Sequence, residues 1–211
     1  MIKAEDLSFP GLYGITPSGW SAERLLAAVE QAMAGGAALI QYRDKPRPEP
    51  ELAARLVALG RQHGVGVIIN DDVELALACG AAGVHLGKDD GDLAQARQRL
   101  GAGAVIGVSC YDRIERAREA AAAGASYLAF GSLFDSPTKP AAVRCPPAVL
   151  GQARELGLPV VAIGGITAEN VTEAVAAGAD LVAVISDLFT APDIRRRAME
   201  YQKAFRRGAE P

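Results

Sequence analysis

Short apolar runs and longer Ala-rich periodic runs alternate along this chain. The apolar runs are LYGITP, ALIQYRD, VGVIIND, GVHLGK, VIGVSC, YLAFGSLF, PVVAIGGI and LVAVISDLF. Their continuous Val/Ile/Leu patterning predicts strands buried on both faces of a parallel sheet. Between them, AERLLAAVEQAMAGG, ELAARLVALGRQHG and RIERAREAAAAG place apolar residues at helical spacing. A strand then a helix, repeated eight times, predicts an α/β fold of the (β/α)8 TIM-barrel class. An open doubly wound sheet is the structural alternative, but no G-x-G-x-x-G opens a helix after the first strand.

A finer repeat supports the barrel. A Gly-Ala pair closes the helix before every second strand, at Gly36, Gly80, Gly124 and Gly178, with spacings of 44, 44 and 54 residues. Glycine supplies a left-handed cap, and the small residue after it lets the next strand start close by. The ten extra residues of the last interval fall after the sixth strand, in or near DSPTKPAAVRCPP. A long loop at a barrel's C-terminal face is more often functional than idle. The expected organisation is one barrel domain over 1–211, with a short N-terminal extension (1–10) and a mobile loop at about 135–146.

Composition narrows the classes. Half of the 211 residues are hydrophobic and only 5% are aromatic, so Ala, Val, Leu and Ile fill the core. A net charge of −3 gives no nucleic-acid or membrane surface, and the run RRR at 195–197 reads as the solvated face of a last helix. Cys79, Cys110 and Cys145 are odd in number and form no C-x-x-C pair, which argues against a disulfide framework or zinc ribbon. The first residues carry no apolar signal-peptide region and no run reaches membrane-span length, so the expectation is a soluble cytoplasmic protein.

In this fold, chemistry sits at the C-terminal ends of the strands. Polar residues cluster there: Gln41, Arg43 and Lys45 after strand two, Asn70, Asp71 and Asp72 after strand three, Lys88, Asp89 and Asp90 after strand four. Ser109 ends strand five, strand six leads to Ser132, Ser136, Thr138 and Lys139, strand seven ends in Gly164-Gly165, and strand eight in Ser186. Strand ends meet solvent anyway, but seven consecutive ends of this kind exceed that explanation. Asp71 and Asp90 end adjacent strands, where two converging carboxylates repel unless a cation or proton lies between them. Hard oxygen ligands in small number suit Mg²⁺, which takes its remaining ligands from water and phosphate. Arg43, Lys45 and Lys139 then surround a polyanion. The competing reading, an internal salt-bridge network, suits Arg43 better than the loop residues Lys45 and Lys139.

A second phosphate site is suggested by AIGGIT and VAVIS, since Gly164 and Gly165 let backbone N–H groups approach an anion where this barrel usually cradles phosphate. A tight turn explains the same pair. Cys110 has no neighbouring histidine to activate it and reads as a small strand-end residue. His85 reads as a hydrogen-bonded core histidine, and His63 as a helix-end charge. Two histidines without an H-x-H do not make a zinc site.

The ordered set QYRDK, VIIND, VHLGKDD, GVSC, SPTK, AIGGI and AVIS, spread over residues 11–205, resembles the thiamine phosphate synthase family. The resemblance implies a Mg²⁺-assisted, dissociative condensation of a hydroxymethylpyrimidine diphosphate with a hydroxyethylthiazole phosphate, plain or carboxylated. Both substrates are small phosphorylated molecules. It assigns Gln41, Arg43, Lys45, Asn70, Ser109 and Lys139 to the pyrimidine diphosphate, and Asp71 and Asp90 to the metal. Catalysis would fall to Arg43, Lys45, Ser109 and Lys139. Ser136, Thr138, Gly165, Ile185 and Ser186 would hold the thiazole phosphate. The chain departs from the family pattern at Lys88 (usually Gln), Tyr111 (often His), Ser132 and Asp135 (usually Pro) and Ser136 (usually Thr). Asp135 adds a negative charge near a phosphate site. Two rivals are weighed against this. A thiazole tautomerase would need an acid–base histidine near Cys110 and Tyr111. A non-catalytic phosphate sensor would not need Asp71 and Asp90.

Overall fold

The computed structural model describes residues 11–88, 91–135 and 143–208. The expected extension at 1–10 lies outside these, as do Asp89, Asp90 and most of the expected mobile loop, residues 136–142. Eight strands close into one parallel barrel: β1 (Gly11–Ile15), β2 (Leu39–Tyr42), β3 (Gly66–Asn70), β4 (Gly83–Leu86), β5 (Val105–Tyr111), β6 (Tyr127–Phe130), β7 (Val160–Ile163) and β8 (Leu181–Val184). β8 pairs back onto β1, with Leu12 opposite Val182, so the sheet has no edge and the open alternative is excluded. The helices are α1 (Ala22–Ala34), α2 (Pro50–His63), α3 (Val73–Cys79), α4 (Leu93–Leu100), α5 (Ile114–Ala122), α6 (Ala148–Arg154), α7 (Val171–Ala176), α8 (Ser186–Phe189) and α9 (Ile194–Gly208). Among the described residues no helix is long and apolar enough to cross a membrane.

Local chemistry sets the helix ends. Ser21, Asp72 and Asp92 accept the N–H of Arg24, Leu75 and Gln95, satisfying first-turn donors of α1, α3 and α4. At the other ends the Gly-Ala repeat is a recurring cap. Ala37, Ala81, Ala125 and Ala179 each donate to the carbonyl five residues back, all at 3.0 Å. Gly80, φ 63°, shows why the preceding position is glycine: the chain turns left-handed there. The ten surplus residues fall between Phe130 and Ala148, as their position predicts.

Strand alternation sorts the core into two. One side of each strand packs on the helices, through residues such as Ile40, Tyr42, Ile69, Val84 and Phe130. The other side fills the barrel, through Tyr13, Ile15, Leu39, Ile68, Val105, Tyr127, Val161 and Leu181. Gly107 lies opposite Tyr127 in the β5–β6 register, and a Cβ there would fall 1.9 Å from the Tyr127 ring. The absent side chain is therefore what admits that ring to the interior. Continuing the inward positions toward the strand ends gives Gln41, Asn70, His85 and Ser109 on β2–β5, and Ile15, Ala129, Ile163 and Ala183 on β1 and β6–β8. One half of the barrel mouth is polar and the other small or apolar.

Candidate active site

The polar half is organised by a chain of hydrogen bonds across the barrel interior. Gln41, only 2% exposed, donates from Nε2 to the Tyr13 hydroxyl at 2.8 Å. The Tyr13 and Tyr127 hydroxyls are 2.8 Å apart, Tyr127 is 2.9 Å from His85 Nδ1, and His85 Nε2 is 2.9 Å from Ser109 Oγ. Gln41, Tyr13, Tyr127 and His85 are buried and Ser109 is part-buried, and each finds a partner, as buried polar groups must. Burial pushes the His85 imidazole down to about 4, opposed by the charge of Asp71, so the ring is neutral near pH 7. His85 is thus the hydrogen-bonded core histidine expected, but it also reaches a candidate ligand residue, Ser109.

The run QYRDK owes its polarity to the alternation of an extended chain. Arg43 donates its N–H to Thr16 Oγ1 (2.9 Å) and accepts the Thr16 O–H at its carbonyl (3.1 Å). Lys45 N–H donates to Ser18 Oγ, and Asp44 Oδ1 accepts from Gly19 N–H, both at 3.1 Å. Asp44 is therefore used to hold the β1–α1 loop. Lys45 instead reaches β3, where its Nζ lies 3.0 Å from Asp71 Oδ2. This corrects one expectation, because Lys45 is the residue that makes an ion pair here, while Arg43, half-buried, makes none among the described residues.

Asp71 sits at φ 65°, a left-handed conformation that Asp tolerates better than most residues. Its N–H donates to the His85 carbonyl at 2.8 Å, and Asn70 Nδ2 donates to its Oδ2 at 2.6 Å. Asp72 caps α3 and faces away from this duty. Arg116 of α5 fastens the ends of β4 and β5 together, Nε to Ser109 O (2.7 Å) and Nη2 to Gly87 O (2.9 Å). Beyond Ser109 the β5 register shifts, and Tyr111, at φ 58° and 43% exposed, stands at the rim. Cys110 is buried with its thiol pushed up to about 12 by desolvation, the state of a packing residue and not of a nucleophile.

On the other half, Gly164 (φ 99°) and Gly165 (φ 65°) carry the chain from β7. The Gly164 carbonyl accepts from Phe134 N–H at 2.9 Å, and the Gly165 carbonyl accepts from Asn170 Nδ2 at 2.9 Å. A Cβ on Gly165 would lie 2.3 Å from the Asp135 carbonyl. The Asp135 carboxylate is met by Arg144 at 2.5 Å, which offsets the charge this residue brings. Ile185 is half-buried on the interior cluster, and Ser186 opens α8 instead of ending β8. α9 anchors that turn: Tyr201 donates to Asp187 Oδ2 (2.7 Å), and Arg197 lies 3.5 Å from the same oxygen and 3.3 Å from Glu169. Arg197 is therefore the centre of an ion cluster, while Arg195 and Arg196 are the solvated face expected of the RRR run.

Of the expected site residues, Gln41, Arg43, Lys45, Asn70, Asp71 and Ser109 gather at the ends of β2–β5, and Gly165, Ile185 and Ser186 at β7–β8. Asp90, Ser136, Thr138 and Lys139 lie outside the described residues. The sequence reading passed over Tyr13, Tyr127 and Arg116. A usable signal for Tyr127 was Gly107, a glycine inside a strand otherwise rich in β-branched residues.

Comparison with known proteins follows the same outline. The profile of the Thiamine monophosphate synthase family matches residues 12–188. The thiamine-phosphate synthase of Chromobacterium violaceum is 57% identical over 186 residues, 87% of this chain and 90% of that protein. That of Thiobacillus denitrificans is 51% identical over 97% of this chain and 98% of its own. The structure of thiamine phosphate pyrophosphorylase from Pyrococcus furiosus superposes with a TM-score of 0.82 at 34% identity, covering 95% of this chain and 97% of that one.

Proposed function

We infer the reaction of this chain from the family to which it belongs, the thiamine monophosphate synthase family, as that of a thiamine-phosphate synthase, a transferase of thiamine biosynthesis. On that premise we propose that it joins 4-amino-5-hydroxymethyl-2-methylpyrimidine diphosphate to 4-methyl-5-(2-hydroxyethyl)thiazole phosphate, or its carboxylated form, and releases diphosphate. The observation that supports these substrates is the division of the mouth. Gln41, Lys45, Asn70, Asp71 and Ser109 meet at one half, and the Gly164–Gly165 turn with Ser186 lies at the other.

Asp71 is a hard oxygen donor already bound to a cation, Lys45, so its site is suited to positive charge. A single hard carboxylate of this kind suits an ion that completes its shell with water and phosphate. Asp71 and Asp90 are the residues that would hold it. Bound there, Mg²⁺ would offset charge on the diphosphate oxygens.

The protein's own groups then divide the work. Gln41 and Ser109 orient the pyrimidine, with Asn70 beside them. Arg43, Lys45 and Lys139 face the diphosphate as the bond between its oxygen and the pyrimidine methylene breaks and the electron pair leaves with the oxygen. The thiazole nitrogen, held by its phosphate on Ser136, Thr138, Gly165, Ile185 and Ser186, gives its lone pair to the methylene carbon. No residue is asked to act as nucleophile, in keeping with the buried Cys110 thiol. Donors preorganised on developing charge are typically worth about 3–4 kcal/mol each on removal.

The test is an end-point assay of the purified protein with both substrates and Mg²⁺. Thiamine phosphate and diphosphate are expected in equal amounts, and EDTA abolishes both. No product from protein shown to be folded would overturn the reading.

A further inference from the structure

The five-residue chain through the barrel has a direction, and the direction follows from counting hydrogens. A neutral imidazole has one N–H, a tyrosine hydroxyl one hydrogen, and an amide nitrogen only donates. Gln41 Nε2 donates to Tyr13. The single Tyr13 hydrogen then goes to Tyr127, the Tyr127 hydrogen to His85 Nδ1, and the remaining imidazole hydrogen, on Nε2, to Ser109 Oγ. At one end the amide nitrogen faces inward, which turns Oε1, an acceptor, away from Tyr13. At the other end Ser109 already accepts from His85, so its own hydrogen points out as a donor. With every hydrogen of the chain used within it, reversing one link reverses all of them, and both ends would then present the opposite polarity.

We propose that Tyr13, Tyr127 and His85 are positioning residues that lock this direction, so that Gln41 offers an acceptor and Ser109 a donor to the aminopyrimidine diphosphate. This rests on the reading of Gln41 and Ser109 as its ligands. An aminopyrimidine brings the complement, an amino N–H that donates to Gln41 Oε1 and a ring nitrogen or phosphate oxygen that accepts from Ser109. The reversed chain would set donor against donor at Gln41. Residues as distant in sequence as Tyr13 and Tyr127 are thereby made to agree on one recognition pattern. His85 is buried with one hydroxyl at each ring nitrogen, a setting that needs a single N–H.

The chain has two histidines, His63 and His85, so ¹⁵N-histidine NMR reads the tautomer directly, with His63→Gln to assign the signals. Wild-type protein without substrate is expected to carry the His85 proton on Nε2. Gln41→Glu exchanges the terminal donor for an acceptor and is expected to move that proton to Nδ1, three hydrogen bonds away. A proton on Nδ1 in the wild type, or a tautomer indifferent to Gln41→Glu, would overturn the proposal. Should Gln41→Glu not fold, Tyr127→Phe, which keeps the ring, is expected to release His85 into a mixture of tautomers; a single unchanged tautomer overturns it. By calorimetry, Tyr127→Phe is expected to weaken pyrimidine diphosphate binding about tenfold, the worth of roughly one hydrogen bond, and to leave thiazole phosphate binding unchanged. Equal loss for both ligands would mark a merely structural role and overturn it. Wild-type protein that binds no pyrimidine diphosphate would instead overturn the substrate reading, and the tautomer result alone would then decide the chain's direction.

Discussion

Lys45 Nζ lies 3.0 Å from Asp71 Oδ2, joining the end of β2 to the end of β3 across the polar half of the barrel mouth. The pair is half open to solvent, so it contributes little to stability, and its interest is chemical. The lysine occupies the carboxylate that we assign to Mg²⁺. Lys45→Ala should therefore bind Mg²⁺ about threefold more tightly in the absence of substrate, a modest gain because the lost partner was solvent-screened. It should also turn over about 100-fold more slowly, because we assign the same cation to the leaving diphosphate. Metal titration and steady-state rates check both; weaker Mg²⁺ binding would place Lys45 outside this exchange.

Asp71 combines a charge with a left-handed backbone, and two variants separate them. Asp71→Asn keeps the conformation, since Asn also tolerates positive φ, and should lose at least about 100-fold in Mg²⁺-dependent turnover with an unchanged melting temperature. Asp71→Ala should lose the same activity and also some stability. Near wild-type rates in either variant would remove Asp71 from the metal site.

Gly165→Ala places a Cβ 2.3 Å from the Asp135 carbonyl at φ 65°. The strain should lower stability by about 1 kcal/mol or more, at least roughly 2–4 °C in melting temperature for a chain of this size. The displaced turn should raise KM for the thiazole phosphate and spare KM for the pyrimidine diphosphate. Gly151→Ala on α6, where a Cβ meets open space, is the control and should leave both KM values unchanged. A rise confined to the pyrimidine substrate would move the second phosphate site away from Gly165.

His85 makes stability depend on pH. Its folded pKa of about 4 lies below the ordinary 6.5, so between these values the unfolded chain binds more protons and stability rises with pH. The contribution is complete above about pH 6.5 and is lost as pH falls toward 4, with a slope of up to ~1.4 kcal/mol per pH unit from this one group. His85→Gln lacks that titration. The stability gap between wild type and variant, from urea melts, should narrow from pH 7 to pH 4.5. A constant gap would mean that His85 is protonated equally in both states.

The barrel was legible in the sequence because its signals are local. Buried parallel strands read as apolar runs, and the Gly-Ala pairs are caps whose hydrogen bonds span only five residues. The strand ends carrying Gln41, Asn70, Asp71 and Ser109 were legible for the same reason, as polar residues closing apolar runs. The contacts among them were not. Nothing local in the sequence marks Tyr13 and Tyr127, whose hydroxyls meet only because the barrel closes across 114 residues. Lys45 read as a loop cation because nothing in QYRDK specifies the reach to Asp71. Arg197 read as solvated because its partners, Asp187 in α8 and Glu169 on the β7–α7 connection, lie far from it in sequence or on another element.

The central claim is that the ends of β2–β5 form a Mg²⁺-diphosphate site, and calorimetric titration of inorganic diphosphate into the protein tests it most directly. The expected result is one diphosphate bound per chain, with binding that requires Mg²⁺ and is lost in Asp71→Asn. Diphosphate binding that is indifferent to Mg²⁺, or unchanged in Asp71→Asn, would contradict it.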